Sequence, residues 1–177
     1  YITLGAGLFS AIGLTGGLLH IINHALLKIT LFFCAGAIIT VTGKKKISEM
    51  NGLGKQMPLT MIAFTIAAIG MIGIPPVNGF ISKWYLIQGS LESGAWVIIL
   101  VLIGSALLNA AYFLPIVINA FFKEGAFSRA EGPEAPLSML IPILILVAGC
   151  LVIGTNLDLT VPYFENIANY LFYSGGN

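Results

Sequence analysis

Apolar residues run along this chain in blocks of about 20, the length an α-helix needs to cross a bilayer core. Polar residues collect between the blocks. Tyr1 to Leu8 is apolar but too short to span, and reads as the end of a helix whose start is missing. Thr15 to Val41 is a full span, closed by Gly43-Lys44-Lys45-Lys46. That basic loop continues to Gly54-Lys55-Gln56-Met57-Pro58, so it covers 43–58. Residues 59–91 are apolar again, but Pro75-Pro76-Val77-Asn78-Gly79 interrupts them. Ala95 to Phe122 follows as a long span, with Pro115 inside it predicting a kink. A polar loop over 123–135 carries Lys123, Arg129, Glu131 and Glu134. Leu137 to Thr155 is the last span. The tail over 157–177, with Asp158 and Glu165, is amphipathic and is expected at the membrane interface. The pattern predicts an all-α polytopic transmembrane bundle, one membrane domain over 1–177, with no short-period repeat or low-complexity segment.

Composition agrees with the pattern. Hydrophobic residues make up 58% of the sequence and charged ones 8%, against about 25% charged in a soluble domain. Mean hydropathy is +0.98, so lipid is the expected surrounding of most of the chain. No secretory signal is visible, and an opening Tyr1 without initiator Met reads as a start inside a longer protein. Cys34 and Cys150 lie deep in separate apolar runs and read as small buried side chains. No nucleotide-binding loop, dinucleotide fingerprint, Ser/His/Asp arrangement or Cys-x-x-Cys pair is present. Electron, nucleotide and nucleic-acid chemistry are therefore not expected of this chain.

The net charge of +1 says little, but its placement says more. Of the eight basic residues, Lys44, Lys45, Lys46 and Lys55 fall in one loop, and Lys123 and Arg129 in another. Cytoplasmic loops collect Lys and Arg. If 59–91 crosses once and 95–122 crosses back, both basic loops face the same side. The other connections and the tail then face outward and hold no Lys or Arg. Two crossings over 59–91 would separate the basic loops, so one discontinuous helix is the preferred reading. Irregular backbone at membrane depth persists only where protein or water satisfies it, and transporters place ion sites at such breaks. The plainer alternative is a Pro-Pro kink or short re-entrant turn without function.

Two basic residues remain, Lys28 and Lys83. Lys28 lies mid-span, where a charge costs roughly 2.5–3.5 kcal/mol on insertion scales and normally serves a pathway. His20, Asn23 and His24 precede it. His20, His24 and Lys28 are spaced i, i+4, i+8, which holds them on one stripe about 6 Å apart along the axis. Histidine titrates near neutrality, so the stripe has the makings of a proton relay facing the protein interior. A single intramembrane histidine satisfied by an interhelical hydrogen bond is the competing reading. Zinc is another, but no Cys, Asp or Glu lies nearby and lysine is a poor ligand. Lys83 follows the break within Gly79-Phe80-Ile81-Ser82-Lys83-Trp84-Tyr85. It is either a member of the same path or a lysine that snorkels to an interface beside Trp84 and Tyr85. Asn109, Asn119, Ser105 and Tyr112 on the long span suggest interhelical hydrogen bonds, with pathway lining second.

His20-Ile-Ile-Asn-His24-Ala-Leu-Leu-Lys28, followed by Leu31-Phe32-Phe33-Cys34-Ala35-Gly36, resembles the H-x3-H-A-x2-K signature of the antiporter-like subunits. These occur in complex I, in Mrp-type cation/proton antiporters and in energy-converting membrane hydrogenases. Asn51-Gly52-Leu53-Gly54-Lys55-Gln56-Met57-Pro58 is similar to that family's entry to a broken helix, and Gly73-Ile74-Pro75-Pro76-Val77-Asn78-Gly79-Phe80-Ile81-Ser82-Lys83 to the break itself. The resemblance covers the chain to about Phe122. It implies the C-terminal part of a fourteen-helix fold with two inverted five-helix repeats, this chain running from the end of the tenth helix. It also implies an ion pathway of His20, His24, Lys28 and Lys83, supported by Asn23, Pro75, Pro76, Asn78, Gly79, Ser82 and Asn109. The family's first half, with its glutamate and paired lysine, has no counterpart here, so this chain alone is not expected to conduct. The long lateral helix of the largest subunit type is not in this chain; if Asn177 is near the natural end, the resemblance implies the D-type or M/N-type subunits.

The function so implied is proton translocation, with sodium coupling left open, as part of a multisubunit membrane complex. The alternative is a transport-inactive module that completes a membrane arm. Expected partners are the bilayer and other membrane subunits, further antiporter-like ones among them. No cofactor is expected in this chain. Iron–sulfur, flavin or nickel–iron centres would sit on partner subunits. The expected location is a prokaryotic cytoplasmic membrane, with the tail outside.

Overall fold

The computed structural model describes residues 1–123 and 134–174. Most of the loop expected over 123–135, including Arg129 and Glu131, lies outside the described residues, as do 175–177. No strand occurs among the described residues. The helices are α1 (Ile2–Gly7), α2 (Ala11–Thr42), α3 (Leu53–Gln56), α4 (Pro58–Ile72), α5 (Gly79–Glu92), α6 (Trp96–Phe122), α7 (Leu137–Thr155) and α8 (Val161–Asn169). Three of them, α2, α6 and α7, are long and apolar enough to cross a membrane.

Helix α2 starts four residues before the expected Thr15, because Ser10 caps it. Extended backbone at Ser10 turns its Oγ to accept from the Gly13 amide at 3.0 Å. It stops at Gly43, whose φ of 68° is the left-handed end that glycine adopts without strain. Helix α5 packs along α2 with almost no side chain between them. A Cβ on Gly89 would lie 2.6 Å from the Gly13 Cα, and one on Gly16 would lie 2.8 Å from the Leu86 nitrogen. Small residues let apolar helices approach closely and gain dispersion contacts.

Helix α4 begins with Pro58 and ends at Gly73, at φ 95°. Six residues, 73–78, then separate it from α5. At 15 and 14 residues, α4 and α5 measure about 22 Å and 21 Å. The Pro75–Pro76 peptide between them is cis. The interrupted backbone leans on α7: the Asn78 amide donates to the Cys150 carbonyl at 3.2 Å, and a Cβ on Gly154 would overlap the Pro76 carbonyl oxygen. A core of Leu27, Cys34, Ile38, Met61, Ala67, Ile143 and Cys150 joins α2, α4 and α7. Both cysteines are free and buried.

Helix α6 runs unbroken through Pro115. The tail departs in part from the interfacial expectation. Val161 of α8 is buried with Leu19 and Ile81, and Phe164 packs against them. The Tyr85 hydroxyl donates to Glu165 Oε1 at 2.8 Å, so α8 docks on α2 and α5.

Candidate functional site

His20, His24, Lys28 and Lys83 line one cavity of about 270 Å³. Tyr1, Ser105, Asn109 and Tyr112 contribute its other polar groups. Four elements meet there: the middle of α2, the end of α4, the start of α5 and the middle of α6.

On α2 the stripe is continuous in space. The His20 and His24 ring centroids are 5.3 Å apart. His20 is buried and His24 half-buried. Lys28, expected to face the protein interior, is exposed, although it still lines the cavity. His20 Nδ1 lies 3.0 Å from Ser82 Oγ, which links the stripe to α5. Ser82 has one hydroxyl proton, which it can donate to the Gly79 carbonyl at 3.3 Å. With the proton placed there, His20 Nδ1 is the donor in its bond to Ser82.

Lys83 is buried, at 8% exposure. Its Nζ donates to the carbonyls of Met71 and Ile72, each at 2.8 Å. The last carbonyls of a helix have no intrahelical partner, and they carry the negative end of its dipole. Lys83 therefore closes the C-terminus of α4 from the first turns of α5. Asn109 Nδ2 shares the Met71 carbonyl at 3.2 Å, and the Tyr112 hydroxyl donates to Asn109 Oδ1 at 2.9 Å. Gly73 makes this seat possible, since a Cβ there would lie 2.7 Å from Lys83 Cδ.

Asn23 and Asn78, both fully buried, clasp α2 to the break. Asn23 Nδ2 donates to the Asn78 carbonyl at 2.9 Å, and Asn78 Nδ2 donates to Asn23 Oδ1 at 3.2 Å. Pro75 and Pro76 are outside the cavity and shape the backbone only. Gly79 is tightly held, because a Cβ on it would overlap the Gly70 carbonyl oxygen.

Tyr1 was not singled out by the sequence. Its ring stacks on His20 with centroids 4.5 Å apart, its hydroxyl donates to Ser105 Oγ at 2.7 Å, and Lys83 Nζ stands 5.6 Å from its centroid. Nothing local marks a tyrosine as a histidine's neighbour. Among the described residues, no group of His, Cys, Asp or Glu is arranged to hold a metal ion.

The sequence is 48% identical to NADH-quinone oxidoreductase subunit N of Desulforudis audaxviator, over 87% of this chain and 33% of that protein. It is 30% identical to the D-type subunit of the Na(+)/H(+) antiporter of Alkalihalophilus pseudofirmus, over 97% of this chain and 35% of that protein. It is 33% identical to Hydrogenase-4 component B of Escherichia coli, over 92% of this chain and 26% of that protein. The chain thus spans about a third or less of the length of these relatives. Among solved structures, a chain of the Mrp complex from Dietzia sp. DQ12-45-1b superposes with a TM-score of 0.88 at 26% identity, covering 98% of this chain and 40% of that one. Respiratory complex I from Thermus thermophilus shares the fold, with a TM-score of 0.83 at 22% identity, over 99% of this chain and 37% of that one. Residues 1–108 match the family described as NADH:quinone oxidoreductase/Mrp antiporter, transmembrane. With a fold and relatives of the same kind, this chain belongs to that family of antiporter-like membrane subunits.

Proposed function

We propose that this chain forms one half-channel of a proton path in an antiporter-like subunit of a multisubunit membrane complex. One observation carries the reading: His20, His24, Lys28 and Lys83 converge on a single cavity beside an interrupted helix. Water in such a cavity can bridge groups that do not touch directly. A proton entering near Lys28 passes to His24 and then His20. Lys83 is the member whose charge the protein senses, because its ammonium is held by the α4 carbonyls and its neutral amine is held less strongly. The exposed side of Lys28 faces the part of the subunit that lies outside this chain.

The topology that goes with this reading has 59–91 crossing once, loops 43–58 and 123–135 in the cytoplasm and the tail outside. The neighbours are other membrane subunits, including further antiporter-like ones. Any iron–sulfur, flavin or nickel–iron centres are carried by partner subunits.

Lys83→Arg tests the role of Lys83 in the intact parent complex, because arginine keeps charge and reach but stays protonated. Lys83→Arg and Lys83→Ala are both expected to lower proton translocation in membrane vesicles by about tenfold or more, equivalent to at least about 1.4 kcal/mol. Assembly of the complex should be retained. Normal translocation by Lys83→Arg would make Lys83 an anchor and leave the transport-inactive module as the better account.

A further inference from the structure

The start of α4 is closed by a residue far along the chain. Met57, which precedes Pro58, offers no side-chain cap. Leu59 and Thr60 therefore look elsewhere for partners, and Glu134 supplies them from the approach to α7. Its Oε2 accepts from the Leu59 amide at 2.8 Å, and its Oε1 accepts from the Thr60 hydroxyl at 2.7 Å. The Ala135 amide, donating to Oε1 at 3.1 Å, holds the carboxylate in place. Thr60 is fully buried, so its hydroxyl has no solvent to turn to.

Helix α4 is thus gripped at both ends by ionisable side chains distant in sequence. Glu134 holds the N-terminus and Lys83 the C-terminus. Each charge has the sign that the helix dipole favours at its end. Between them the helix is 15 residues long, about 22 Å of hydrogen-bonded rod. Where such a rod starts sets where its last carbonyls lie. The lysine packs directly against that end, since a Cβ on Gly73 would lie 2.7 Å from Lys83 Cδ.

We infer that Glu134 is a positioning residue for Lys83: its carboxylate pins the start of α4 and so sets where the Met71 and Ile72 carbonyls meet the lysine ammonium. The inference rests on the reading of Lys83 as a member of the ion path. A shift of about 1 Å at a working group can cost on the order of a hundredfold in rate, so loss of the pin reaches the site without touching it.

The test uses the intact parent complex, with hydrogen–deuterium exchange and proton translocation measured on Glu134→Ala, Glu134→Gln and Lys83→Ala. Glu134→Ala is expected to raise deuterium uptake in two separate places, residues 59–61 and residues 73–79. Translocation should fall by about tenfold to a hundredfold. Glu134→Gln keeps an acceptor for the Leu59 amide and is expected to recover most of both. An uptake rise confined to 59–61, or translocation that stays normal in Glu134→Ala, would overturn the inference. So would equal loss in Glu134→Ala and Glu134→Gln without any change at 73–79, which would make the carboxylate a proton carrier. If Glu134→Ala fails to assemble, Thr60→Val removes one of the two bonds and is read in the same way. Normal translocation by Lys83→Ala would retire the path reading itself. Normal translocation by Glu134→Ala beside an impaired Lys83→Ala would retire only the positioning role.

Discussion

Lys83 carries two opposing terms that explain where it sits. With 59–91 crossing once, as proposed, placing a lysine at membrane depth costs roughly 2.5–3.5 kcal/mol on insertion scales. Its two bonds to the Met71 and Ile72 carbonyls return about 1.5–3 kcal/mol each, as bonds from charged donors do. The balance lies near zero or is favourable while the lysine is charged, and it shifts when the charge goes. Glycines around the break hold the geometry that makes this possible. Gly79→Ala would drive a Cβ into the Gly70 carbonyl and is expected to destabilise the purified complex by about 1–3 kcal/mol, seen as a lower melting temperature. Gly104 on α6 has nothing within 4 Å of a built Cβ. Gly104→Ala is expected to be neutral or to stabilise by up to about 1 kcal/mol. An equal loss of stability in both variants would contradict this account of close approach.

Among the elements, α4 and α5 form the unusual pair. At about 22 Å and 21 Å, neither reaches across a hydrocarbon core of about 30 Å. Together they suffice for one crossing, provided the break between them is satisfied from outside. The bonds from the Asn78 amide to the Cys150 carbonyl, from Asn23 to the Asn78 carbonyl and from Lys83 to the Met71 carbonyl at the α4 end supply part of that. A single crossing predicts that Lys45→Cys and Lys123→Cys react with a membrane-impermeant maleimide from the same face of oriented vesicles. Labelling from opposite faces would require two crossings and undo the proposed topology. Helix α8 is held to the second half of this pair by the Tyr85–Glu165 bond. Tyr85→Phe should loosen it by about 1 kcal/mol, measured as faster deuterium uptake over 161–169 with the rest of the chain unchanged. No change there would mean that the Val161 and Phe164 packing holds the tail unaided.

For the molecule as a whole, three helices among the described residues are long and apolar enough to cross a membrane, as fits the antiporter-like family that residues 1–108 match. The long apolar helices could be read along the chain, as could the spacing that places His20, His24 and Lys28 on one stretch of α2. Hydrophobic run length and helical periodicity are local properties, fixed by bilayer thickness and by 3.6 residues per turn. The sequence by itself therefore determined the class of fold and pointed to four candidate residues. It could not determine which groups those four would meet. Only the tertiary structure brought Tyr1 onto His20, Ser82 to its Nδ1, Asn109 to the α4 end and Glu134 to the α4 start. It also left Lys28 exposed and folded α8 onto α2 and α5. The physical reason is that these pairings join residues far apart in the chain, 74 positions for Glu134 and Thr60. Their partners are chosen by how helices pack and where an interrupted backbone needs hydrogen bonds, and neither leaves a periodic trace in the sequence.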